Sequence, residues 1–385
     1  MIAREITGAI RELERYYPII YLGGPRQAGK TTLLKSLYPN LPYSNLEDPE
    51  LRLLAEQDPR RFLKDFTKGA VLDEAQRVPA LFSYLQVMAD ADKQLKFILS
   101  GSQNFLLMEN ITQSLAGRVG ILNLLPFSYS EMEGTAFNHQ VLENFVWQGG
   151  YPGLYEKKIP PSIFFNNYIQ TYLERDVRLL KNVGDLTLFN RFLRLCAGRI
   201  GQPLNLSSLA TDLGLSVNTV KSWFSVLEAS YIIFYLQPFH NNFNKRIIKT
   251  PKFYFFDTGL VCHLLGIESP AQLETYPTFG NIVENAIVAD LFKKRAHSGK
   301  RPAFWFWQDQ HGNEVDLLME EAGELKAIEI KSSQTFNSRL VSGLSKWAQI
   351  SGSPSKQNFL VYAGTQEQAL EQGTLMPWQK ALVDL

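Results

Sequence analysis

The stretch that decides the fold reads Ile19-Ile20-Tyr21-Leu22-Gly23-Gly24-Pro25-Arg26-Gln27-Ala28-Gly29-Lys30-Thr31-Thr32. It begins as a short apolar strand, Ile19–Leu22, and continues into a GxxxxGK[ST] motif, Gly24–Thr31, that opens a helix. The glycines allow the backbone to wrap so that its N–H groups point at phosphate, and the helix N-terminus adds the positive end of its dipole. The stretch therefore predicts a phosphate-binding loop between a strand and a helix.

The residue types in this loop are those that hold a nucleotide and its metal. Lys30 is expected to neutralise charge on the β- and γ-phosphates, and the Thr31 hydroxyl is expected to ligate Mg²⁺. The alternative is an ordinary glycine turn with a solvated lysine. The residues expected to contact bound ATP are Gly24, Pro25, Arg26, Gln27, Ala28, Gly29, Lys30, Thr31 and Thr32.

A second strand end carries the acids that such a loop requires. Ala70–Leu72 is apolar and is followed directly by Asp73 and Glu74. Asp73 can complete the Mg²⁺ shell, and Glu74 can polarise the attacking water. An acidic pair after a strand is also common at helix N-caps, so the pair gains its meaning from the loop motif. The adjacent glutamate indicates hydrolysis of ATP, with Mg²⁺ as cofactor, and not only binding.

Two further positions are open to a catalytic and a structural interpretation. Leu95–Leu99 is predicted as the fourth strand of the alternation. Ser100 or Ser102, just after it, lies where a hydroxyl could sense the γ-phosphate, and we take Ser102 as the candidate. The alternative is a simple helix N-cap. Arg118 could act as an arginine finger, either in its own chain or from a neighbouring subunit, or it could be a surface arginine.

Strand and helix patterns alternate between residues 19 and 126, which indicates a parallel, doubly wound sheet in an α/β fold. Residues 127–182 have helical character. The run from Leu186 to about Lys249 contains helices followed by strand-like residues, and after Pro277 a helix precedes paired strands. The chain therefore changes character three times along its length.

These motifs resemble the AAA-type (P-loop) ATPase domain of a large bacterial and archaeal family whose members carry a C-terminal domain of unknown function. Besides the loop and the acidic pair, the resemblance rests on Leu99–Gln103 and Ser114–Arg118. It continues through Gln148–Pro152, Tyr172–Val177 and Phe253–Gly259, so it covers nearly the whole chain. It implies an AAA+ core with strand order 5-1-4-3-2 and allows ring-like homo-oligomers.

A helix-turn-helix pattern follows in the second half of the chain. Leu206–Gly214 is a short amphipathic helix ending in glycine, and Ser216 can cap a second helix, Val217–Tyr231. The strand-like Ile232–Leu236 completes the pattern of a winged helix-turn-helix. Between Leu186 and Thr250 seven basic and two acidic residues leave a charge of +5, which suits contacts with DNA phosphates. The alternative is a structural or subunit-contact module.

The last part of the chain carries a pattern of charged residues on two predicted strands. Glu329 and Lys331 share a strand face and would point towards Asp316 on the neighbouring strand. With Glu284 on the preceding helix, they resemble the PD-(D/E)xK restriction-endonuclease-like fold. That resemblance implies Asp316 and Glu329 as metal ligands, Lys331 as the residue that helps to activate water, and Glu284 as an accessory acid. The motif's proline is absent because Val315 precedes Asp316. Charges on a half-solvated sheet are the alternative.

Composition excludes several classes of protein. Among 385 residues, 39 are Lys or Arg and 38 are Asp or Glu, which argues against a protein that coats nucleic acid along its whole surface. Two cysteines are too few for a disulfide framework or a cysteine-based zinc site. The N-terminus lacks an apolar signal core and no apolar run is long enough to span a bilayer, so a cytoplasmic protein without a membrane partner is expected.

The sequence thus predicts four segments, which are an AAA+ ATP-binding domain (1–126), a helical connector or lid (127–184), a winged helix-turn-helix (185–250) and a restriction-endonuclease-like α/β domain (251–385). The predicted function is Mg²⁺-dependent ATP binding and hydrolysis, coupled to nucleic-acid binding through the C-terminal modules, with DNA as the expected partner. The alternative is a nucleotide-switched DNA-binding, regulatory or protein-interaction module with a degenerate nuclease-like domain and little turnover.

Overall fold

The computed structural model describes residues 2–92, 94–102, 115–173, 185–239 and 250–385. They form two compact units, of which the first comprises Met1–Phe127, Leu227–Tyr231 and Lys294–Lys300. The second comprises Ser128–Val226, Ile232–Lys293 and Arg301–Leu385. Within the described ranges, no helix has both the length and the apolar character needed to cross a membrane.

Unit 1 is built on a five-stranded sheet in which every neighbouring pair of strands is parallel. Its strands are Ile19–Gly23 (β1), Tyr43–Asn45 (β2), Gly69–Asp73 (β3), Lys96–Gly101 (β4) and Val119–Asn123 (β5). All residues of β1 and β3 are buried, because helices cover both faces of a parallel sheet. The order is β5-β1-β4-β3-β2, as the resemblance to AAA-type ATPases implies.

The helices of unit 1 follow the strands in the predicted alternation. They are Ile6–Leu13 (α1), Lys30–Leu37 (α2), Pro49–Gln57 (α3), Pro59–Lys64 (α4) and Ala80–Ala91 (α5). Asp48 caps α3 by accepting a hydrogen bond from the N–H of Glu50 at 2.9 Å, with Pro49 in the first turn. The sequence also predicts a helix at Phe105–Leu115, which lies outside the described residues except for Leu115.

Unit 2 begins with short helices and contains the two helices of the predicted helix-turn-helix. A π-helical turn occupies Ile169–Leu173. The helices of this part of the chain are Tyr129–Met132 (α6), Leu142–Gln148 (α7), Pro152–Glu156 (α8), Pro161–Tyr168 (α9), Leu186–Ala197 (α10), Leu206–Leu213 (α11), Val217–Ala229 (α12), Thr258–Leu264 (α13), Pro270–Leu273 (α14), Phe279–His297 (α15), Ser342–Ser351 (α16) and Trp378–Asp384 (α17). Both α12 and α15 end in a segment that belongs to unit 1.

A mixed eight-stranded sheet in the order β12-β13-β11-β10-β9-β8-β6-β7 forms the second half of unit 2. Its strands are Ile233–Pro238 (β6), Lys252–Phe255 (β7), Phe304–Gln308 (β8), Glu314–Glu321 (β9), Glu324–Lys331 (β10), Asn358–Tyr362 (β11), Gln368–Ala369 (β12) and Thr374–Pro377 (β13). The hairpin β9–β10 is antiparallel, as predicted, and β10 pairs in parallel with β11.

The elements expected of a winged helix follow one another in the predicted order. Asn205 caps α11, and Ser216 caps α12 by accepting a hydrogen bond from the N–H of Thr219 at 3.1 Å. Strand β6 then pairs with β7 and also, through its last residues, with β8. The predicted boundary between residues 250 and 251 thus falls between two paired strands, because the expected wing is continuous with the larger sheet. Three of the basic residues counted there, at 245, 246 and 249, lie outside the described ranges.

Two motifs of the resemblance meet at a buried aspartate. Asp257 accepts a hydrogen bond from the N–H of Gly150 at 2.7 Å and one from the N–H of Leu260 at 3.2 Å, which caps α13. Gly149 has φ +73°, and a Cβ there would lie 2.2 Å from Asp257 Oδ1. Burial raises the pKa of Asp257, against the opposing charge of Lys293 and the backbone donors. The glycine pair and the aspartate therefore hold α7 and α13 together.

Candidate functional sites: a phosphate loop and an acidic cavity

The loop after β1 has the backbone shape that the sequence motif requires. Gly24 has φ +144°, and a Cβ there would lie 2.0 Å from the carbonyl oxygen of Leu124. Gly29 has φ +94° and directly precedes α2. Side chains other than hydrogen are strained at both positions, so the glycines determine the path of the loop. The buried ammonium of Lys30 donates to the carbonyl oxygens of Gly24 and Pro25, each at 2.8 Å.

Asp73 is the centre of a group of hydroxyl donors at the carboxyl end of β3. Its Oδ2 accepts from Thr31 Oγ1 at 2.6 Å and from the Tyr43 hydroxyl at 2.7 Å, and its Oδ1 accepts from the Ser100 hydroxyl. Burial alone would raise the pKa of Asp73, but the hydrogen bonds from Ser100, Thr31 and Tyr43 and the charge of Lys30 lower it below its ordinary value. Asp73 is therefore a buried carboxylate in contact with the Thr31 hydroxyl.

Glu74 stands beside this group in a left-handed backbone conformation, with φ +55°. Its Oε2 accepts from the Ser102 hydroxyl at 3.1 Å and from the amide of Gln76. Of the two serines that the sequence left open, Ser100 thus binds Asp73 and Ser102 binds Glu74. Since β4 lies next to β3, both hydroxyls reach the acidic pair from the neighbouring strand.

Arg118 lies at the amino-terminal ends of the strands of the parallel sheet, whereas the phosphate loop lies at their carboxyl-terminal ends. It precedes Val119, the first residue of β5, which pairs with the first residue of β1. The five residues of β5 separate these two ends of the strands by about 17 Å. The guanidinium binds Asp90 with two contacts, at 2.6 and 2.9 Å. In this conformation Arg118 is therefore too far from the phosphate loop of its own chain to contact a nucleotide bound there.

Sequence reasoning missed two side chains at the phosphate loop, Tyr43 and Gln76. Gln76 follows Glu74 by two positions, so the sequence could have suggested that its side-chain amide donates a hydrogen bond to Glu74. Tyr43 is the first residue of β2, and its contact with Asp73 depends on the pairing of β2 with β3. The strand order implied by the resemblance places β2 beside β3, but it does not specify which side chain of β2 reaches Asp73.

The second candidate site is a cavity of about 480 Å³ in unit 2. Four carboxylates and two ammonium groups line it, namely those of Glu284, Glu314, Asp316, Glu329, Lys252 and Lys331. They come from α15 and from strands β7, β9 and β10. The structure therefore brings together all four residues predicted for the nuclease-like site, Glu284, Asp316, Glu329 and Lys331, and adds Lys252 and Glu314.

Lys331 lies between the two predicted metal ligands. Its Nζ is 2.6 Å from Glu329 Oε1 and 3.7 Å from Asp316 Oδ2. Asp316 Oδ2 also accepts a hydrogen bond from the N–H of Ile330 at 2.7 Å, which fixes it against β10. Burial raises the pKa of Glu329 and the charge of Asp316 raises it further, against the opposing effect of Lys331. Glu329 is thus a buried carboxyl that has Lys331 as a positive partner.

Lys252 engages the other two acids of the cavity. Its Nζ is 3.2 Å from Glu284 Oε1 and contacts Glu314 Oε1 as well. The Tyr254 hydroxyl donates to the same Glu284 oxygen at 2.6 Å. The sequence carried signs of both missed residues, because a lysine inside an apolar strand needs buried partners and Glu314 is two positions before Asp316 on the same strand face.

Oxygen atoms of Glu284, Glu314 and Asp316 lie within 4.8 Å of one another, which is close enough for one cation. Oε2 of Glu329 is buried, and none of the residues that the structure describes donates a hydrogen bond to it. A buried carboxylate oxygen without a donor is costly, and a cation would remove that cost. The donor set thus fits a hard divalent ion such as Mg²⁺ or Mn²⁺.

A second cavity, of about 470 Å³, lies between the predicted helix-turn-helix and the sheet. Arg199, Asn205 and Ser208 line it, and it shares Gln202 and Pro203 with the acidic cavity. Arg199 is engaged by Asp212 and by the Ser208 hydroxyl. The cavity beside the start of α11 is therefore adjacent to the acidic cavity.

Three parts of the chain match known domain families. Residues 16–133 match the AAA domain family. Residues 139–271 match a domain of unknown function, DUF8612, and residues 279–381 match another, DUF4143. The three matches follow one another along the chain, and the first contains both the phosphate loop and the acidic pair.

Two mycobacterial proteins are similar to this chain over most of its length. The uncharacterized protein Rv2008c of Mycobacterium tuberculosis is 30% identical over 339 residues, which cover 86% of this chain and 74% of that protein. The uncharacterized protein Mb2031c of Mycobacterium bovis matches to the same extent. Among solved structures, a Walker-type ATPase of Pyrococcus abyssi has a TM-score of 0.42 at 17% identity, covering 69% of this chain and 96% of its own. A RuvB variant of Thermotoga maritima has a TM-score of 0.29 at 16% identity, covering 60% and 87%.

Proposed function

Because this chain belongs to one family with the mycobacterial proteins Rv2008c and Mb2031c, and carries an AAA-type P-loop domain, we propose that it is a Mg²⁺-dependent ATPase. Its nucleotide state would control the binding of nucleic acid by unit 2. The observation that carries the proposal is the direct contact of Thr31 with Asp73 at 2.6 Å, with Glu74 next along the chain.

The roles proposed for the site residues follow from their positions. Lys30 would turn from the loop carbonyls to the phosphates, and Thr31 and Asp73 would hold Mg²⁺, which neutralises phosphate charge when bound. Glu74 would accept the proton of the attacking water. Ser102 would hold the Glu74 carboxylate in place, since its hydroxyl already donates to it at 3.1 Å.

Two segments support a link between the nucleotide site and the C-terminal modules. The Tyr231 hydroxyl, just after α12, donates to Asn123 Oδ1 at 3.0 Å, at the end of β5. His297, at the end of α15, accepts a hydrogen bond from the N–H of Leu125 at 3.1 Å. Both contacts lie within unit 1, next to the strand ends from which the phosphate loop leaves. A nucleotide that moves the loop would therefore act on the ends of two helices that continue into unit 2.

We infer that nucleic acid is the partner of unit 2. Exposed Asn218 and Lys221 lie on the outer face of α12, whereas Val220, Phe224 and Leu227 are buried. Polar and basic side chains on the second helix of a helix-turn-helix are suited to contact phosphates and base edges. The cavity beside the start of α11 is adjacent to the acidic cavity.

The first experiment measures ATP turnover in Glu74→Gln. We expect this variant to bind ATP within about threefold of the parent, while kcat falls by roughly 10²- to 10⁴-fold, because a general base is lost but no phosphate contact is. Glu56→Gln, an exposed glutamate on α3, is the matched control and should keep full turnover. Phosphate release by Glu74→Gln at the parental rate would contradict the role of Glu74.

The same assay, run with single-stranded DNA, double-stranded DNA and RNA, identifies the partner. Stimulation of turnover by one class of nucleic acid would support coupling. Binding of DNA that depends on nucleotide, with turnover near zero in every condition, would favour the alternative of a nucleotide-switched regulatory module.

A second candidate function is metal-dependent cleavage of phosphodiester bonds in the acidic cavity. The observation that favours it is the placement of Lys331 against both Asp316 and Glu329. We expect cleavage with Mg²⁺ or Mn²⁺ that disappears in Asp316→Ala and Lys331→Ala. Lys326→Ala, on the same strand but paired with Glu321, should keep the activity. If no DNA or RNA is cut with either metal, this second function is wrong.

A further inference from the structure

The acidic cavity holds more carboxylates than one metal ion needs. With all groups ionised, its four carboxylates and two ammonium groups carry a net charge of −2. Buried charge of one sign requires a partner, because its desolvation is otherwise uncompensated. Some of the four carboxylates are paired with the lysines of the cavity, and the others are left for an added cation.

The two lysines differ in how firmly they are held. The side chain of Lys252 is 2% exposed, and its Nζ contacts Glu284 and Glu314 and lies 5.3 Å from the centre of the Phe306 ring. The side chain of Lys331 is 30% exposed and therefore reaches solvent. Lys252 is thus the more enclosed of the two cations.

The carboxylates differ in the same sense. Oε1 of Glu284 already accepts from both Lys252 and Tyr254, and Oε1 of Glu314 is engaged by Lys252. Glu329 is only 7% exposed, and its Oε2 has no hydrogen-bond donor among the described residues. Gly343 of α16 packs against that oxygen, since a Cβ there would lie 2.8 Å from it. The demand for a cation is therefore on the Glu329 side of the cavity.

We propose that Lys252 is a built-in cation for Glu284 and Glu314, so that the cavity takes one divalent ion, at Asp316 and Glu329, and not two. In its geometry alone the cavity offers a second position, because oxygens of Glu284, Glu314 and Asp316 lie within 4.8 Å of one another. Lys252 fills that position with an ammonium group. Lys252 is then a positioning residue, which keeps Glu284 and Glu314 away from the metal.

This inference deepens the second candidate function, but its test needs neither ATP nor nucleic acid. Binding of Mn²⁺ to the full chain is measured by equilibrium dialysis, in an Asp73→Asn background that removes the ligand expected at the phosphate loop. The parent should bind one Mn²⁺ per chain. Failure to cleave DNA would leave this result unchanged, so the two claims fail separately.

Carboxamide variants identify the ligands. Glu329→Gln should weaken Mn²⁺ binding at least about tenfold, because it removes a ligand. Glu314→Gln should stay within about threefold of the parent, which is under 0.7 kcal/mol. Glu324→Gln, exposed on the same strand as Glu329, is the control. A loss in Glu314→Gln as large as in Glu329→Gln would place the ion in the Glu284 cluster and overturn the proposal, as would the absence of Mn²⁺ binding to the parent.

Removal of the fixed cation tests its role directly. Lys252→Met should bind a second Mn²⁺ per chain, whereas Lys252→Arg should still bind one. Lys252→Gln, which keeps a hydrogen-bonding group beside Glu284, is made in parallel in case the apolar variant does not fold. If a folded neutral variant still binds one ion, Lys252 does not fill a cation position and the proposal is wrong. If neither neutral variant folds, the comparison of Glu314→Gln with Glu329→Gln decides.

Discussion

At the scale of single residues, Tyr43 is the least expected part of the nucleotide site. Its hydroxyl donates to the same Asp73 oxygen as Thr31, and its ring lies under the ammonium of Lys35, with 4.2 Å from Nζ to the ring centre. Two donors on one oxygen fix the direction in which the carboxylate points. Burial and the hydrogen bond to Asp73 raise the pKa of Tyr43, so the group stays a donor at neutral pH.

The substitution Tyr43→Phe tests this role because it removes the hydroxyl and keeps the ring. We expect the Mg²⁺ concentration for half-maximal ATP turnover to rise about fivefold, which corresponds to a hydrogen bond of about 1 kcal/mol. Nucleotide binding without Mg²⁺ should not change. Tyr84→Phe, on the exposed face of α5, serves as the control. An unaltered Mg²⁺ dependence in Tyr43→Phe would show that Thr31 and Ser100 suffice to orient Asp73.

Predictability at this scale follows the distance along the chain. The motif residues Lys30, Thr31, Asp73 and Glu74 were predictable because backbone geometry and local spacing determine where they stand. Tyr43 and Lys252 were missed, although the implied strand order places β2 beside β3 and a lysine in an apolar strand implies buried partners, because neither sign specifies which side chains meet. The partner of Arg118 was not predictable either, because its contact with Asp90 depends on how the residue before β5 lies against α5.

At the scale of elements, the contact between Gly149 and Asp257 explains why two distant motifs belong together. Gly149 ends α7 with φ +73° and ψ −170°, a conformation that is almost restricted to glycine. Its backbone passes so close to Asp257 that no side chain fits between them. The aspartate in turn caps α13, so one residue orders two helix ends.

Replacement of this glycine should cost more than its backbone conformation alone explains. Gly134 also has a positive φ, +71°, but a Cβ there would meet nothing within 4 Å. We expect Gly134→Ala to cost roughly 1–2 kcal/mol. Gly149→Ala should cost about 2 kcal/mol more and lower the Tm by a further 4–8 °C in calorimetry, because its Cβ collides with Asp257. Equal Tm values for the two variants would mean that the contact has no energetic weight.

The elements themselves were largely predictable, and their partners were only partly so. Apolar runs bounded by glycine and proline marked the parallel strands of unit 1, and alternation with helices fixed their class. The helices α11 and α12 follow from their caps, Asn205, Gly214 and Ser216. Of the second sheet, only the β9–β10 hairpin and the strand-like Ile232–Leu236 were predicted, because the other strands meet across long separations in sequence.

At the scale of the whole molecule, the two units divide the proposed chemistry. Unit 1 holds the phosphate loop and the acids beside it, and unit 2 holds the acidic cavity and the predicted helix-turn-helix. The segments Leu227–Tyr231 and Lys294–Lys300 belong to unit 1 although the chain around them belongs to unit 2. The predicted linear series of four segments did not contain this exchange, since composition along the chain carries no record of which helix ends return to an earlier unit.

The position of β6 also has a consequence for inheritance. This strand pairs with β7 on one side and, at its end, with β8 on the other, so the expected wing and the C-terminal sheet have no edge between them. A recombination event with its breakpoint after β6 would separate strands that need each other and leave two open edges prone to association. The helix-turn-helix segment and the C-terminal sheet should therefore be inherited together, because a gene fragment that encodes only one of them leaves such an edge unpaired.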